Sequence, residues 1–241
     1  MSKKVIDGKD IANKSLDLDF KVRNEFELSD THKSFTELCF RKDTNMVFVD
    51  GPAGSAKTYC AAYAGLHLLK GRYVEEMVYI RSIIESASKS MGALPGEVDD
   101  KFYPWTCPLK EKLDELLDAG ISNNLFEVDI VRAVPVNYVR GLTFKNSVVI
   151  VDESQNLTFS ELTTIMTRFG SNSKMMVIGD TRQSDIGART GFKDMYNIFN
   201  DAESEENGIY CFEFTEAEIV RSELLKFIIG RLDDHHESKA S

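Results

Sequence analysis

The stretch Met46-Val47-Phe48-Val49-Asp50-Gly51-Pro52-Ala53-Gly54-Ser55-Ala56-Lys57-Thr58-Tyr59 decides the fold. Its apolar start reads as a buried strand, the glycine-bearing turn as a loop, and the residues from Lys57 onward as a helix. A strand that delivers into such a turn and then a helix aims backbone N–H groups and a helix N-terminus at one point, which suits a phosphate. Lys57 is then placed to reach the β- and γ-phosphates of a nucleoside triphosphate and the Thr58 hydroxyl to ligate Mg²⁺, with Gly51 to Tyr59 forming the cradle. One residue departs from the usual pattern, which has glycine immediately before the lysine; here it is Ala56. Helical dihedrals there cost alanine little, whereas a positive φ is strained.

About ninety residues further on, Val148-Val149-Ile150-Val151-Asp152-Glu153-Ser154-Gln155 repeats the theme of an apolar run ending in charge. This is the Walker B form, in which a strand buried on both faces opens at the nucleotide. Asp152 is the candidate to hold Mg²⁺ through water, and Glu153 the candidate to orient and polarise the attacking water. A third run, Met175-Met176-Val177-Ile178-Gly179, delivers Asp180-Thr181-Arg182-Gln183-Ser184-Asp185 to the same edge. There Gln183 can sense the γ-phosphate or hold the lytic water, while Asp180 and Asp185 serve equally well as turn caps.

Short strand-like runs alternate with helical patterns, the signature of a parallel sheet covered by helices. The pattern predicts strands at 46–50, 77–81, 136–140, 148–152, 175–179 and 209–214, and helices at 57–69, 109–119, 159–169 and 217–229. Residues 86–107 hold Gly92, Leu94-Pro95-Gly96 and Pro104, with Pro108 next, and read as an irregular loop. Residues 1–28 read as a polar extension, 29–232 as one domain and 233–241 as a solvated tail.

With 42% hydrophobic residues among 241, the chain is long enough for one sizeable core and short for two. Its apolar runs fall far below the roughly 20 residues that span a bilayer, and its start lacks the apolar stretch of a secretory signal, so a cytoplasmic location is expected. Cysteines at 39, 60, 107 and 211 show no Cys-x-x-Cys pair, which argues against a zinc site and for reduced thiols. A formal net charge of −10 excludes a protein that coats nucleic acid by bulk attraction, so any such contact is a local basic channel.

Taken in order, these motifs resemble the PhoH family of P-loop ATPases, which are related to superfamily-one helicases. The likeness runs from about Asp30 to Ile228. Besides the sites above it includes Leu94-Pro95-Gly96, Tyr138-Val139-Arg140-Gly141-Leu142-Thr143, the acidic-Gln motif continued to Asn156, and Ile219-Val220-Arg221-Ser222. The resemblance implies a RecA-like parallel sheet between helices, ATP and Mg²⁺ as ligands, and a place for Arg221 at the γ-phosphate, in its own chain or a neighbour's. A helix-surface salt bridge with Glu218 or Glu223 is the alternative for Arg221. Relatives read adenine with a glutamine in the helix before the P-loop; Thr31-His32 stand in that place, which makes His32 the candidate base contact.

The expectation is therefore an ATPase coupled to binding or moving along single-stranded RNA or DNA. One core implies that the second face of the nucleotide site comes from another subunit, in a ring and by family resemblance a hexamer. Arg81, Arg140, Arg168, Arg182 and Arg189, with Phe102, Tyr103 and Trp105, are the candidates for tracking phosphates and stacking bases. The alternatives are a nucleotide-dependent switch with little turnover and a small-molecule phosphotransferase.

Overall fold

The computed structural model describes residues 20–24, 27–82 and 98–220, with 227 and 231 beyond them, and of 98–105 the backbone alone. The strands are β1 Met46–Asp50, β2 Glu76–Arg81, β3 Val131–Pro135, β4 Ser147–Asp152, β5 Lys174–Gly179 and β6 Ile209–Glu213. They form one sheet in the order β3-β2-β4-β5-β1-β6, with every neighbouring pair parallel. The helices are α1 Asp30–Phe40, α2 Lys57–Lys70, α3 Val98–Leu116, α4 Ile121–Glu127, α5 Phe159–Met166, α6 Phe192–Phe199 and α7 Ala202–Glu206.

Both faces of the sheet are covered, which is why its strands read as continuous apolar runs. Side chains alternate between two cores. Val47, Val49, Tyr79, Val148 and Ile150 pack with Phe35 of α1, Leu66 and Leu69 of α2, and Leu109 and Leu113 of α3. Phe48, Val78, Val149, Val151 and Val177 face the other way, against Leu162 and Ile165 of α5 and Phe192 of α6. Parallel order puts all C-terminal strand ends at one edge, where Asp50, Arg81, Asp152 and Gly179 deliver the motif loops.

Two expectations are corrected. The third strand lies at Val131–Pro135 and not at 136–140; Val136–Tyr138 is a 3-10 turn that leaves Tyr138 69% exposed. Among the described residues β3 pairs only with β2, at the edge of the sheet, and carries half-exposed Arg132, bonded to Glu76, so its sequence lacks the apolar run of an inner strand. The second correction is that 98–107 is helical, so that α3 begins eleven residues before the predicted 109. Pro104 and Pro108 each remove one N–H donor from the ladder, yet the helix continues into the buried positions Leu109, Leu113 and Leu116. The loop motif 94–96 and the tail 233–241 lie outside the described residues, as do residues 1–19 of the polar extension. Of the predicted helix at 217–229, residues from 221 onward lie outside the described residues except for residue 227, and residues 217 and 218 fall in a 3-10 turn at Glu216–Glu218. Among the described residues no helix is long and apolar enough to cross a membrane.

Candidate functional site

The P-loop leaves β1 at Gly51, where the chain passes close under the end of β6. A Cβ added at Gly51 would lie 2.8 Å from Phe214 Cβ and 2.9 Å from its carbonyl oxygen, so a side chain does not fit. Ala56 then closes the turn as the N-cap of α2 with φ 60° and ψ 22°, the left-handed conformation that strains alanine. Its gain is geometric, since the first turn of α2 leaves N–H groups without helical partners at the mouth of a cavity of about 410 Å³. Gly54, Lys57, Thr58, Asp152, Glu153 and Gln183 are among the residues that line it.

Lys57 Nζ donates to the carbonyl oxygens of Gly51 at 2.6 Å and Pro52 at 2.8 Å. Burial depresses its pKa below the usual lysine value, and the attraction of Asp180, Asp152, Glu153 and Asp50 does not make up the difference. An ammonium held at such a cost gains from an added anion, which is the property a triphosphate cradle needs.

Strand β4 brings Asp152 to the same cavity, 5% exposed. Its Oδ1 accepts from Thr58 Oγ1 at 3.1 Å and from Glu153 N at 3.0 Å, and its Oδ2 accepts from the Tyr79 hydroxyl at 2.6 Å. A hydroxyl beside a carboxylate supplies two hard oxygen ligands and leaves the remaining positions to water or phosphate, the donor set that fits Mg²⁺. Among the described residues no group of three or more His, Cys, Asp or Glu is arranged to hold another metal.

Glu153 follows in a left-handed conformation, φ 53° and ψ 40°, which turns its side chain out of the strand's alternation. Gln155 Nε2 donates to its Oε2 at 2.6 Å, and Arg81 Nη2 lies 3.7 Å from its Oε1. The other end of the Gln155 amide accepts from Asp180 N at 3.2 Å, so one glutamine joins the ends of β4 and β5. Asp180 is buried and accepts from Arg182 N at 2.9 Å. Gln183 reaches the cavity wall, whereas Asp185 exchanges hydrogen bonds with Asn156 and acts as a loop clasp.

His32 does not face an open base site. Its Nδ1 accepts from Ser29 N at 3.2 Å in the capping box that starts α1, and its Nε2 lies 3.2 Å from the Ser55 carbonyl oxygen. That carbonyl can only accept, which assigns the proton to Nε2. The ring is 2% exposed and packs on Phe214. His32 thus braces the P-loop from behind.

Past β6, Thr215 and Glu218 form another capping box, and Val220 N donates to Gly54 O at 2.9 Å. This strap carries the chain to the P-loop up to residue 220. Arg221 lies outside the described residues. Of the proposed polymer contacts, Arg140 and Arg189 are exposed, Arg81 pairs with Glu153, and Arg182 pairs with Glu216 at 3.3 Å. Arg168 is half-buried, and the Phe102, Tyr103 and Trp105 side chains lie outside the described residues.

Two contributors escaped the sequence reading. Tyr79 gave no signal because its link to Asp152 spans 73 residues between strands. Asp50 did give one, an acid closing an apolar strand at the loop; it accepts from Gly51 N and Thr181 N, both at 2.8 Å, and ties β1 to the loop after β5.

A family model described as PhoH-like protein matches residues 29–233. The chain is 34% identical over 192 residues to a PhoH-like protein of Bacillus subtilis (strain 168), a match covering 80% of this chain and 59% of the relative. It is 32% identical over 194 residues to a PhoH-like protein of Mycobacterium tuberculosis (strain H37Rv), covering 80% and 54%. Against Protein PhoH of Escherichia coli (strain K12) the identity is 33% over 183 residues, covering 74% and 50%. The matched region thus spans little more than half the length of these relatives. With the family model spanning the whole sheet and every loop at the C-terminal ends of its strands, the chain belongs to the PhoH family.

Proposed function

We propose that the chain is a Mg²⁺-dependent ATPase whose turnover is coupled to binding or moving along single-stranded RNA or DNA. The observation that carries the reading is the 3.1 Å contact between Thr58 Oγ1 and Asp152 Oδ1, which brings the P-loop hydroxyl and the Walker B carboxylate to one point beside Glu153. Thr58 and Asp152 would hold Mg²⁺ there, and the ion would supply positive charge against that of the phosphates. Lys57 binds the phosphate oxygens, Glu153 takes the proton of the attacking water, and Gln183 lines the wall where that water is oriented. By the family resemblance Arg221 acts at the γ-phosphate, and a ring of subunits supplies the second wall that one core lacks.

A second reading, a nucleotide-dependent switch with little turnover, draws on the engagement of both Glu153 carboxylate oxygens, by Arg81 and Gln155. Phosphate release from ATP, with and without Mg²⁺ and with and without single-stranded RNA or DNA, separates the two. The ATPase reading expects Mg²⁺-dependent release that either polymer raises, and its loss in Lys57→Ala and Glu153→Gln. Nucleotide binding without release in the parent chain would leave only the switch.

A further inference from the structure

The two partners of Glu153 lie on different elements, and one of them connects it to a surface outside the nucleotide cavity. Gln155 belongs to the same loop as Glu153, but Arg81 closes β2, in register with Asp152 of β4 on one side and Pro135 of β3 on the other. Immediately after Pro135 the chain turns, leaving Tyr138 69% exposed and Arg140 exposed at the same edge of the sheet. Running outward from Glu153, the edge therefore offers a guanidinium, an aromatic ring and a second guanidinium. That order suits a strand of nucleotides, with phosphates on the cations and a base on the ring.

A guanidinium beside one carboxylate oxygen, with Gln155 on the other, holds the Glu153 side chain in place, and a carboxylate that orients the attacking water needs an oxygen free. The Arg81 side chain is 28% exposed and that of Glu153 40%, so the pair is open to competition from solvent. A phosphodiester is a strong competitor, because its two free oxygens match the guanidinium fork. We propose that Arg81 restrains Glu153 in the absence of polymer, and that the phosphodiester backbone of a single strand lying over Tyr138 and Arg140 draws Arg81 away and frees Glu153 to act on water. The inference rests on the ATPase reading above and names the residue through which the polymer acts.

The sign of the effect separates this role from a structural one, since damage to the fold lowers turnover whereas loss of a restraint raises it. The experiment measures steady-state phosphate release by the full chain with Mg²⁺ and ATP, alone, with poly(U) and with oligo(dT), for the parent, Arg81→Gln, Arg81→Lys and Tyr138→Ala. Arg81→Gln is expected to raise turnover without polymer by about two- to fivefold, the range that an ion pair this exposed can withhold, and to lose most of the polymer response. Arg81→Lys keeps the charge without the fork and falls between, which carries the test if the glutamine variant fails to fold. Tyr138→Ala is expected to weaken polymer binding by about tenfold. If the parent responds to polymer while Arg81→Gln and Arg81→Lys show unchanged or lowered basal turnover and keep the full response, the inference is overturned and the ATPase reading survives. If neither polymer stimulates the parent, the polymer reading fails and this inference with it.

Discussion

The hydroxyl of Tyr79, fully buried on β2, donates to Asp152 Oδ2 on the neighbouring strand β4 at 2.6 Å. Burial, reinforced by the adjacent carboxylate, pushes the phenol pKa far above its usual value, so the group stays a donor at any working pH. The bond leaves Asp152 Oδ1 to Thr58 Oγ1 and Glu153 N. Tyr79→Phe keeps the ring and removes the donor, leaving a buried carboxylate oxygen short of a partner. Stability should fall by about 1–3 kcal/mol in urea unfolding. If Asp152 holds Mg²⁺, the concentration of Mg²⁺ that half-saturates phosphate release should rise several-fold. An unchanged Mg²⁺ dependence with lowered stability would reduce Tyr79 to a packing role.

Ala56 sits where most P-loops of this pattern have glycine, and its φ of 60° shows why they do. The left-handed conformation costs an L-residue about 1–2 kcal/mol, whereas glycine adopts it freely but loses about 0.5–1 kcal/mol of chain entropy on folding. Ala56→Gly should therefore be neutral to stabilising, by up to about 1 kcal/mol, in urea unfolding of the chain without nucleotide. Clear destabilisation would mean that the alanine methyl, which packs at the rim of the core, is worth more than the strain.

Much of the fold is legible because burial on both faces writes itself into local composition. Val47 and Val49 serve one core and Phe48 the other, so β1 is apolar throughout, and the same holds for Val148 to Val151 in β4. Edge strand β3 escapes that rule, which is why Val136 and Val139 drew the assignment away from Val131 and Val134. The short helices α4 and α7 carry too few turns for their period to register, α6 shows a period in Phe192, Met195, Tyr196 and Phe199 that the expected elements omit, and the resemblance alone points to a helix at α1. Within the site, Asp152 and Glu153 sit where β4 meets its loop and Lys57 and Thr58 where the loop after β1 meets α2, so short motifs bring them together. The contacts of Tyr79, Arg81 and His32 depend on which strands and loops become neighbours, and no local pattern encodes that.

Glu218 gives a pH signature to the strap over the P-loop. Burial opposes its ionisation, but hydrogen bonds from Thr215 N at 2.7 Å and Thr215 Oγ1 at 2.8 Å, with further help from Thr31 and His32, outweigh it and hold the pKa below 4.5. A carboxylate depressed in the folded state contributes stability that is present above its unfolded pKa and lost as pH falls through the folded value. The parent should thus lose stability from about pH 4.5 downward more steeply than Glu218→Gln, with both curves flat near pH 7. Urea midpoints measured from pH 7 to 3 test this. Parallel curves would show that the capping box does not depend on the charge.

The last prediction concerns His32, which the resemblance places at the base and the structure places behind the loop. Both ring nitrogens meet protein groups, Ser29 on one side and the Ser55 carbonyl on the other, and the ring is closed off from solvent. A residue that reads adenine changes the preference between ATP and GTP when it is removed; a residue that braces the phosphate loop weakens both alike. For His32→Ala, loss of the ring's half of the capping box and of the brace should lower stability by about 1–2 kcal/mol, and the affinities for ATP and GTP should fall by the same factor, so that their ratio stays within about twofold of the parent value. Titration of fluorescent ATP and GTP analogues measures both arms. A selective loss of ATP binding would return His32 to the base site, and would require the ring to leave Ser55 when nucleotide binds.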